Sequence, residues 1–286
     1  MNRIGIVGQG FVGNSIKEGM IADYPDLLTF DINPELSMTT SLAEVVEKTD
    51  IIFVCVPTPM KKDGSCHLGI VDSVLEDIAK ILDLDVVTKV IVLKTTIPPG
   101  SSRAFNDVYK ERGIEIIFNP EFLTEANAVQ DFKDQNRIIL GGSSMEALEA
   151  VINLYKKSFP SVPIVSMSHD EAEMVKYVTN TFLSTKVIYA NEIYKICEGL
   201  MLDYDAIIDA AKLDDRLGLS HWKVPGPDGE FGFGGHCFPK DTNALKFIAN
   251  QNDIDTTLLD AVLEKNLKIR KKRDWEDESQ KGRSTI

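Results

Sequence analysis

The 286 residues include only four cysteines (Cys55, Cys66, Cys197, Cys237) and four histidines, and none is arranged in a C-x-x-C pair or a metal-ligand cluster. That excludes a zinc site and a disulfide framework, so any working cysteine acts as a thiol. Basic residues are also in short supply. Lys and Arg number 31 against 44 Asp and Glu, a net charge of −13, which repels nucleic acid and anionic lipid. No run approaches the ~18 uninterrupted apolar residues of a membrane span. The opening MNRIGIVGQG enters a strand pattern at once, without the apolar stretch of a signal peptide. The expectation is a soluble, cytoplasmic protein with no nucleic-acid partner, no membrane partner and no metal. At 43% apolar and 26% charged, the composition is globular and suffices for one large or two ordinary cores.

What the chain does contain is a regular alternation. Six β-rich runs, RIGIVG, LLTFDI, DIIFVCVP, KVIVLKT, IEIIFNP and RIILGG, alternate with helical stretches over the first 140 residues. That is the pattern of a parallel sheet wrapped by helices. Residues 170–198 contain no Gly or Pro, and Ser168 with Glu171 has capping-box spacing, so a long helix ended by Gly199 is predicted. A shorter helix over 203–212, a Gly- and Pro-rich loop over 218–235 and a helix over 239–250 follow. The expected fold class is α/β: a doubly wound Rossmann sheet over 1–165, then an all-α domain with one long central helix over 166–265. The remainder, 266–286, passes from a basic to an acidic block and reads as a solvated or disordered tail.

Gly8, Gly10 and Gly13 form G-x-G-x-x-G directly after an apolar strand and before a helix-compatible stretch. Such glycines let a pyrophosphate approach the backbone and rest on the amides and dipole of the helix N-terminus. Asp31 ends the second β-rich run, where a carboxylate binds both ribose hydroxyls and repels a 2′-phosphate. NAD is therefore favoured over NADP.

Other polar groups stand where a core would not want them. Thr95 and Thr96 follow an apolar strand, either as turn formers or at the ligand-binding edge of the sheet. Glu121 and Glu125 are four apart; on a helical turn they face one way, as a water-holding base pair or as a solvated face. Lys176 and Asn180, four apart on the long helix, present an ammonium and a carboxamide suited to an oxyanion, or simply a solvated lysine. Cys237 lies between Gly234–Gly235 and Pro239, a residue favoured in a first helical turn, so a helix N-terminus would lower its pKa. Asp241, four residues on, can hold a base or a water beside it. These residues alone leave Cys237 open between a buried structural cysteine and a nucleophile.

Five segments, in order, decide more: VPTP (56–59), KTTIPPG, NPEFLTEANAVQDF, EMVKYVTNTFLSTKVIYANEI and GFGGHCFPKD. Together they resemble the signature segments of the nucleotide-sugar 6-dehydrogenases, the UDP-glucose and GDP-mannose dehydrogenase family, over residues 1–265. The resemblance implies an NAD-dependent, four-electron oxidation of a nucleotide-sugar C6 alcohol, with UDP-glucose to UDP-glucuronate the leading case. The route is a Cys237 thiohemiacetal and then a thioester, which carries the aldehyde to the acid without releasing it. It also implies that Lys176 and Asn180 stabilise oxyanions, Asp241 handles protons near the thiol, Glu121 assists thioester hydrolysis and Thr96 positions a water. Phe11, Val12, Pro57, Thr58, Thr96, Glu125 and Lys240 would join the glycines and Asp31 at the cofactor. Glu121, Phe122, Leu123, Lys176, Asn180, Phe233 and Gly234 would line the substrate. Arg216 would reach substrate in the neighbouring subunit of a homodimer formed through the long helix.

Two departures stand out. The resemblance implies a third, nucleotide-binding domain as usual in the family, and these 286 residues stop about where it would be expected to begin. The approach to the cysteine, SHWKVPGPDGEFGFGG, is longer than usual, and Ala126 stands where glycine is common. The longer loop, with His221, Trp222 and Lys223, is a candidate cover for the nucleotide. Two rival readings remain at this point. One is a two-electron hydroxy-acid dehydrogenase that needs no cysteine, and the other a shortened NAD-binding protein without full activity.

Overall fold

The structure is a computed structural model and describes residues 3–82, 88–277 and 285–286. Its contacts define two compact units: Met1–Thr58 with His67–Lys176, and Pro59–Cys66 with Tyr177–Ile286.

The first unit is built on strands β1 (Ile4–Val7), β2 (Leu28–Phe30), β3 (Ile51–Val54), β4 (Lys89–Leu93), β5 (Ile114–Phe118), β6 (Ile138–Gly141) and β7 (Ile164–Met167). They form one sheet in the order β2-β1-β3-β4-β5-β6-β7. Every pairing is parallel except β5 with β6, which meet antiparallel at Phe118 and Gly141. The six β-rich runs are the first six strands. The seventh lacks their apolar continuity because it is an edge: Val165 and Ser166 are exposed. Central strands such as IGIV and IIFV are buried at every position, which is why they read as unbroken apolar runs.

Helices α1 (Phe11–Met20), α2 (Leu42–Lys48), α3 (Gly69–Ile81), α4 (Ser101–Tyr109), α5 (Ala128–Lys133) and α6 (Met145–Ser158) accompany the sheet. Ile6, Phe53, Phe132, Leu140 and Tyr155 belong to one core; Val54, Leu75, Ile91, Leu93 and Phe118 belong to another. Parallel strands align their carboxyl ends, so Gly8, Asp31, Pro57, Thr96 and Glu121 follow β1, β2, β3, β4 and β5 along one edge.

Helix α7 (His169–Leu200) begins in the first unit and continues into the second. Its capping box is present: Ser168 N donates to Glu171 Oε2 at 2.9 Å and Glu171 N donates to Ser168 Oγ at 3.4 Å. Gly199 sits inside the last turn rather than ending the helix, and the chain leaves through Met201 at φ +57°. Helices α8 (Tyr204–Ala211) and α9 (Phe238–Gln251) match the two shorter segments read from the sequence, and α10 (Thr257–Ile269) follows. Apolar clusters of this unit include Cys197, Tyr204 and Trp222, and Ile188, Phe233 and Val262.

Arg270 and Trp275, in the stretch expected to be solvated tail, are buried. The expectation fails there because the local charge pattern says nothing of distant partners, and Arg270 finds two carboxylates. Residues 278–284 of that stretch lie outside the described residues. No helix among the described residues is long and apolar enough to cross a membrane.

Candidate functional site

The turn after β1 has the form a dinucleotide needs. Gly8 adopts φ +90°, and a Cβ there would press on the Cys55 carbonyl at 2.7 Å. A Cβ on Gly13 would run into the Gly8 carbonyl, whereas Gly10 faces open space at the N-cap of α1, with no side chain capping its amides. Asp31 accepts from Gln9 N at 2.6 Å and from Asn33 N at 2.8 Å, which fixes its carboxylate beside the glycine turn. Phe11 and Val12 open α1. A pyrophosphate on free helix-end amides with a carboxylate nearby for the ribose fits this turn.

Two threonine bonds join the loops after β3 and β4. Thr58 Oγ1 donates to the Thr96 carbonyl at 2.8 Å, and Thr95 Oγ1 donates to the Val56 carbonyl at 2.7 Å. The far end of the same loop is gripped by α7. Glu173, completely buried, accepts from Gly100 N at 2.5 Å and from Ser102 N at 2.7 Å. Burial pushes its carboxyl up to about 7, against the pull of those hydrogen bonds.

One turn further along α7, Lys176 donates to Glu121 Oε1 at 2.9 Å and to the Glu121 carbonyl at 2.6 Å, in a pair with almost no exposure. Glu121 Oε2 accepts from Leu123 N at 2.7 Å. Lys176 Nζ also lies 5.6 Å from the Phe122 ring, whose other neighbour is Arg137 at 4.1 Å.

Glu121 and Glu125 do not share a face. Glu121 lies in an extended segment and is buried, while Glu125 begins a short 3₁₀ turn and is exposed. The reason is tertiary: Glu121 is held by Lys176 and by Leu123 N, and no helical turn forms between Asn119 and Thr124.

Lys94, at the end of β4, was not singled out from the sequence. It is buried and donates to Asn119 Oδ1 at 2.9 Å, an oxygen shared with Tyr155 OH at 2.5 Å. Burial pushes its ammonium down to about 8, Cys55 and Glu121 oppose the shift and Lys176 adds to it. The only signal was a lysine closing an apolar run.

In the second unit, Cys237 is the N-cap of α9, with Pro239 in the first turn, as its spacing suggested. The thiol is half-buried. Asp241, fully buried, accepts from Asn180 Nδ2 at 2.5 Å and from Lys240 Nζ at 2.5 Å. Burial works against the charge on Lys240, but the Asp241 carboxylate, through its charge and its hydrogen bond, opposes burial and the pKa of Lys240 is raised. The structure thus joins Asn180 to Lys240 and Asp241 in the first turn of α9, the helix that Cys237 opens.

Phe233 is buried within a glycine-rich loop, Gly232–Gly235, that runs up to the cysteine. Arg216 stands apart on an exposed turn, its guanidinium held by Asp214. Trp222 is no cover: its Nε1 donates to the Gly218 carbonyl at 2.9 Å, its carbonyl accepts from Tyr204 OH at 2.6 Å, and Lys186 Nζ lies 4.6 Å from the ring. It anchors the loop inward, because a buried indole needs a partner for its N–H. A cavity of about 560 Å³ lined by Lys61, Lys62, Asn243, Lys246 and Phe247 shares no residue with the expected site.

Two family models match the chain. That of the UDP-glucose/GDP-mannose dehydrogenase family NAD binding domain covers residues 27–159, and that of the same family's central domain covers 170–268. UDP-glucose 6-dehydrogenase TuaD of Bacillus subtilis is 31% identical over 94% of this chain and 64% of its own length. GDP-mannose 6-dehydrogenase of Pseudomonas savastanoi is 32% identical over 81% of this chain and 54% of its own. The solved UDP-glucose dehydrogenase of the archaeon Pyrobaculum islandicum superposes with a TM-score of 0.85 at 28% identity, over 94% of this chain and 68% of that one. The chain thus spans between half and two-thirds of the length of these curated relatives.

Proposed function

The chain belongs to the UDP-glucose/GDP-mannose dehydrogenase family, and we propose that it oxidises the C6 alcohol of a nucleotide sugar to the carboxylate with NAD, UDP-glucose being the first substrate to try. The observation that carries this reading is Cys237 at the N-terminus of α9, whose first turn also holds the Lys240–Asp241 pair; helix-end amides favour a thiolate.

NAD, when bound, would supply the hydride acceptor for two successive oxidations at C6. Between them the Cys237 thiolate adds to the C6 aldehyde, forming a C–S bond and an alkoxide that is protonated to the thiohemiacetal. Loss of the second hydride and of the hydroxyl proton leaves the thioester. Water then adds to the thioester carbonyl, the C–S bond breaks, and carboxylate and thiolate separate. Lys176 and Asn180 have the donors to stabilise the oxyanions of these steps. Glu121, already fixed by Lys176 and Leu123 N, can orient or deprotonate the hydrolytic water. The Gly8–Gly13 turn and Asp31 would hold the cofactor, together with Thr58 and Thr96, which a hydrogen bond joins.

We also infer a homodimer. On α7, Val178, Phe182, Tyr189, Ile196 and Leu200 recur along one face and are all at least half exposed. Such a stripe costs free energy in water and is covered by pairing two helices. A cytoplasmic location agrees with a substrate and a cofactor made there.

The test is NADH formation from a panel of UDP- and GDP-sugars, with thiol alkylation in parallel. Turnover abolished by alkylation is expected. Tight NAD binding without turnover on any member would overturn the reading and favour a binding protein. Full activity in Cys237→Ser would favour a two-electron hydroxy-acid dehydrogenase.

A further inference from the structure

The loop Gly232–Gly235, which delivers the chain to Cys237, is held by side chains from outside it. Gly232 N donates to Asn191 Oδ1 at 3.0 Å. Phe233 is bound at both backbone groups by Asn266: its N donates to Oδ1 at 2.8 Å and its carbonyl accepts from Nδ2 at 3.0 Å. Gly235 N donates to Asp274 Oδ2 at 3.0 Å.

Asp274 is itself placed by Arg270, a guanidinium only 1% exposed, which lies 3.5 Å from Asp274 and 2.6 Å from Asp228. Arg270 therefore links three pieces: the long 218–231 loop through Asp228, the glycine loop through Asp274, and the segment after α10. Gly234 lies directly against this link. A Cβ there would meet Asp274 Oδ1 at 2.6 Å and run into the guanidinium. Gly232 and Gly235 take left-handed backbone at φ +72° and +73°, so the loop has a fixed course rather than free flexibility.

We propose that Asn266, Arg270 and Asp274 are positioning residues: they hold the Gly232–Gly235 backbone at the height from which it seats the sugar before Cys237. The inference rests on the reading that Phe233 and Gly234 contact the substrate. It gives a role in the site to residues from the last turn of α10 onward, in a stretch whose charge pattern suggests only a solvated end. Nothing in it requires Arg270 or Asp274 to touch the reacting atoms.

The experiment compares Asp274→Ala, Asp274→Asn and Arg270→Lys with the unsubstituted full chain. It measures kcat and KM for UDP-glucose and for NAD, and the rate at which iodoacetamide alkylates Cys237. Loss of one charge-assisted hydrogen bond is expected to raise the UDP-glucose KM of Asp274→Ala by roughly tenfold. The NAD KM stays unchanged and the alkylation rate shifts. Asp274→Asn, which keeps an acceptor for Gly235 N, recovers most of the loss. Should Asp274→Ala not fold, Arg270→Lys carries the same expectation at about threefold, since it keeps the charge but loses the fork. A folded variant with unchanged UDP-glucose KM and unchanged alkylation overturns the proposal, as does an equal rise in both KM values. If the unsubstituted chain turns over no nucleotide sugar, the dehydrogenase reading fails instead, and the alkylation rates alone decide for or against the clamp.

Discussion

Asn180 donates to one oxygen of Asp241 while Lys240 holds the other, each at 2.5 Å. The carboxylate is fully buried and has both oxygens occupied. If Cys237 is the nucleophile proposed above, Asp241 is suited less to act as a free base than to keep the Lys240 ammonium charged. Asn180, the neutral partner, balances the second oxygen without adding charge.

Removing that anion should be costly. Asp241→Ala leaves the buried Lys240 ammonium without its counter-charge, and breaking a buried pair from one side costs ~3–5 kcal/mol. Urea unfolding followed by fluorescence measures it, with a smaller loss expected for Asp241→Asn. A loss under ~1 kcal/mol in the alanine variant would mean that Lys240 is not held as described.

Glu173 makes stability depend on pH. Its carboxyl is raised from 4.5 to about 7 in the folded chain, chiefly by burial, with Asp170 adding to the rise. Arg103, which faces it from α4, is paired with Asp170. A raised carboxyl contributes stability that is complete below the unfolded value and is lost as pH rises through the folded one. The chain should lose roughly 3 kcal/mol across that window, and Glu173→Gln should remove that part of the slope. Unfolding near pH 5 and near pH 8 checks it, and identical slopes in both proteins would refute it.

If the apolar stripe on α7 is a dimer face, a charge in its middle should split the assembly. Phe182, 66% exposed in the single chain, is the site to change. Phe182→Asp is expected to halve the mass measured by light scattering, at unchanged folding by circular dichroism. A monomeric unsubstituted chain would dispose of the dimer.

Local pattern carried much of this molecule. The glycine turn and Asp31 were legible because strand, turn and helix follow within a few residues, and the Cys237 helix start because Pro239 marks it. The expected Glu121–Glu125 pair failed because Glu121 is held by Lys176, a partner from far along the chain. Lys94, Arg270 and Trp275 were not legible, since each is buried by partners from elsewhere in the chain. A charged residue in a polar stretch looks solvated until those partners are known. Trp222 is the converse case, a large aromatic in a loop that packs inward instead of facing a ligand.

Cys237 is proposed to carry the sugar between two oxidations. The most direct measurement counts NADH formed per nucleotide sugar consumed, by absorbance against chromatography of the product. Two NADH and a uronic acid are expected, with turnover lost in Cys237→Ala. One NADH per sugar with an aldehyde released, or undiminished turnover in the alanine variant, would contradict it.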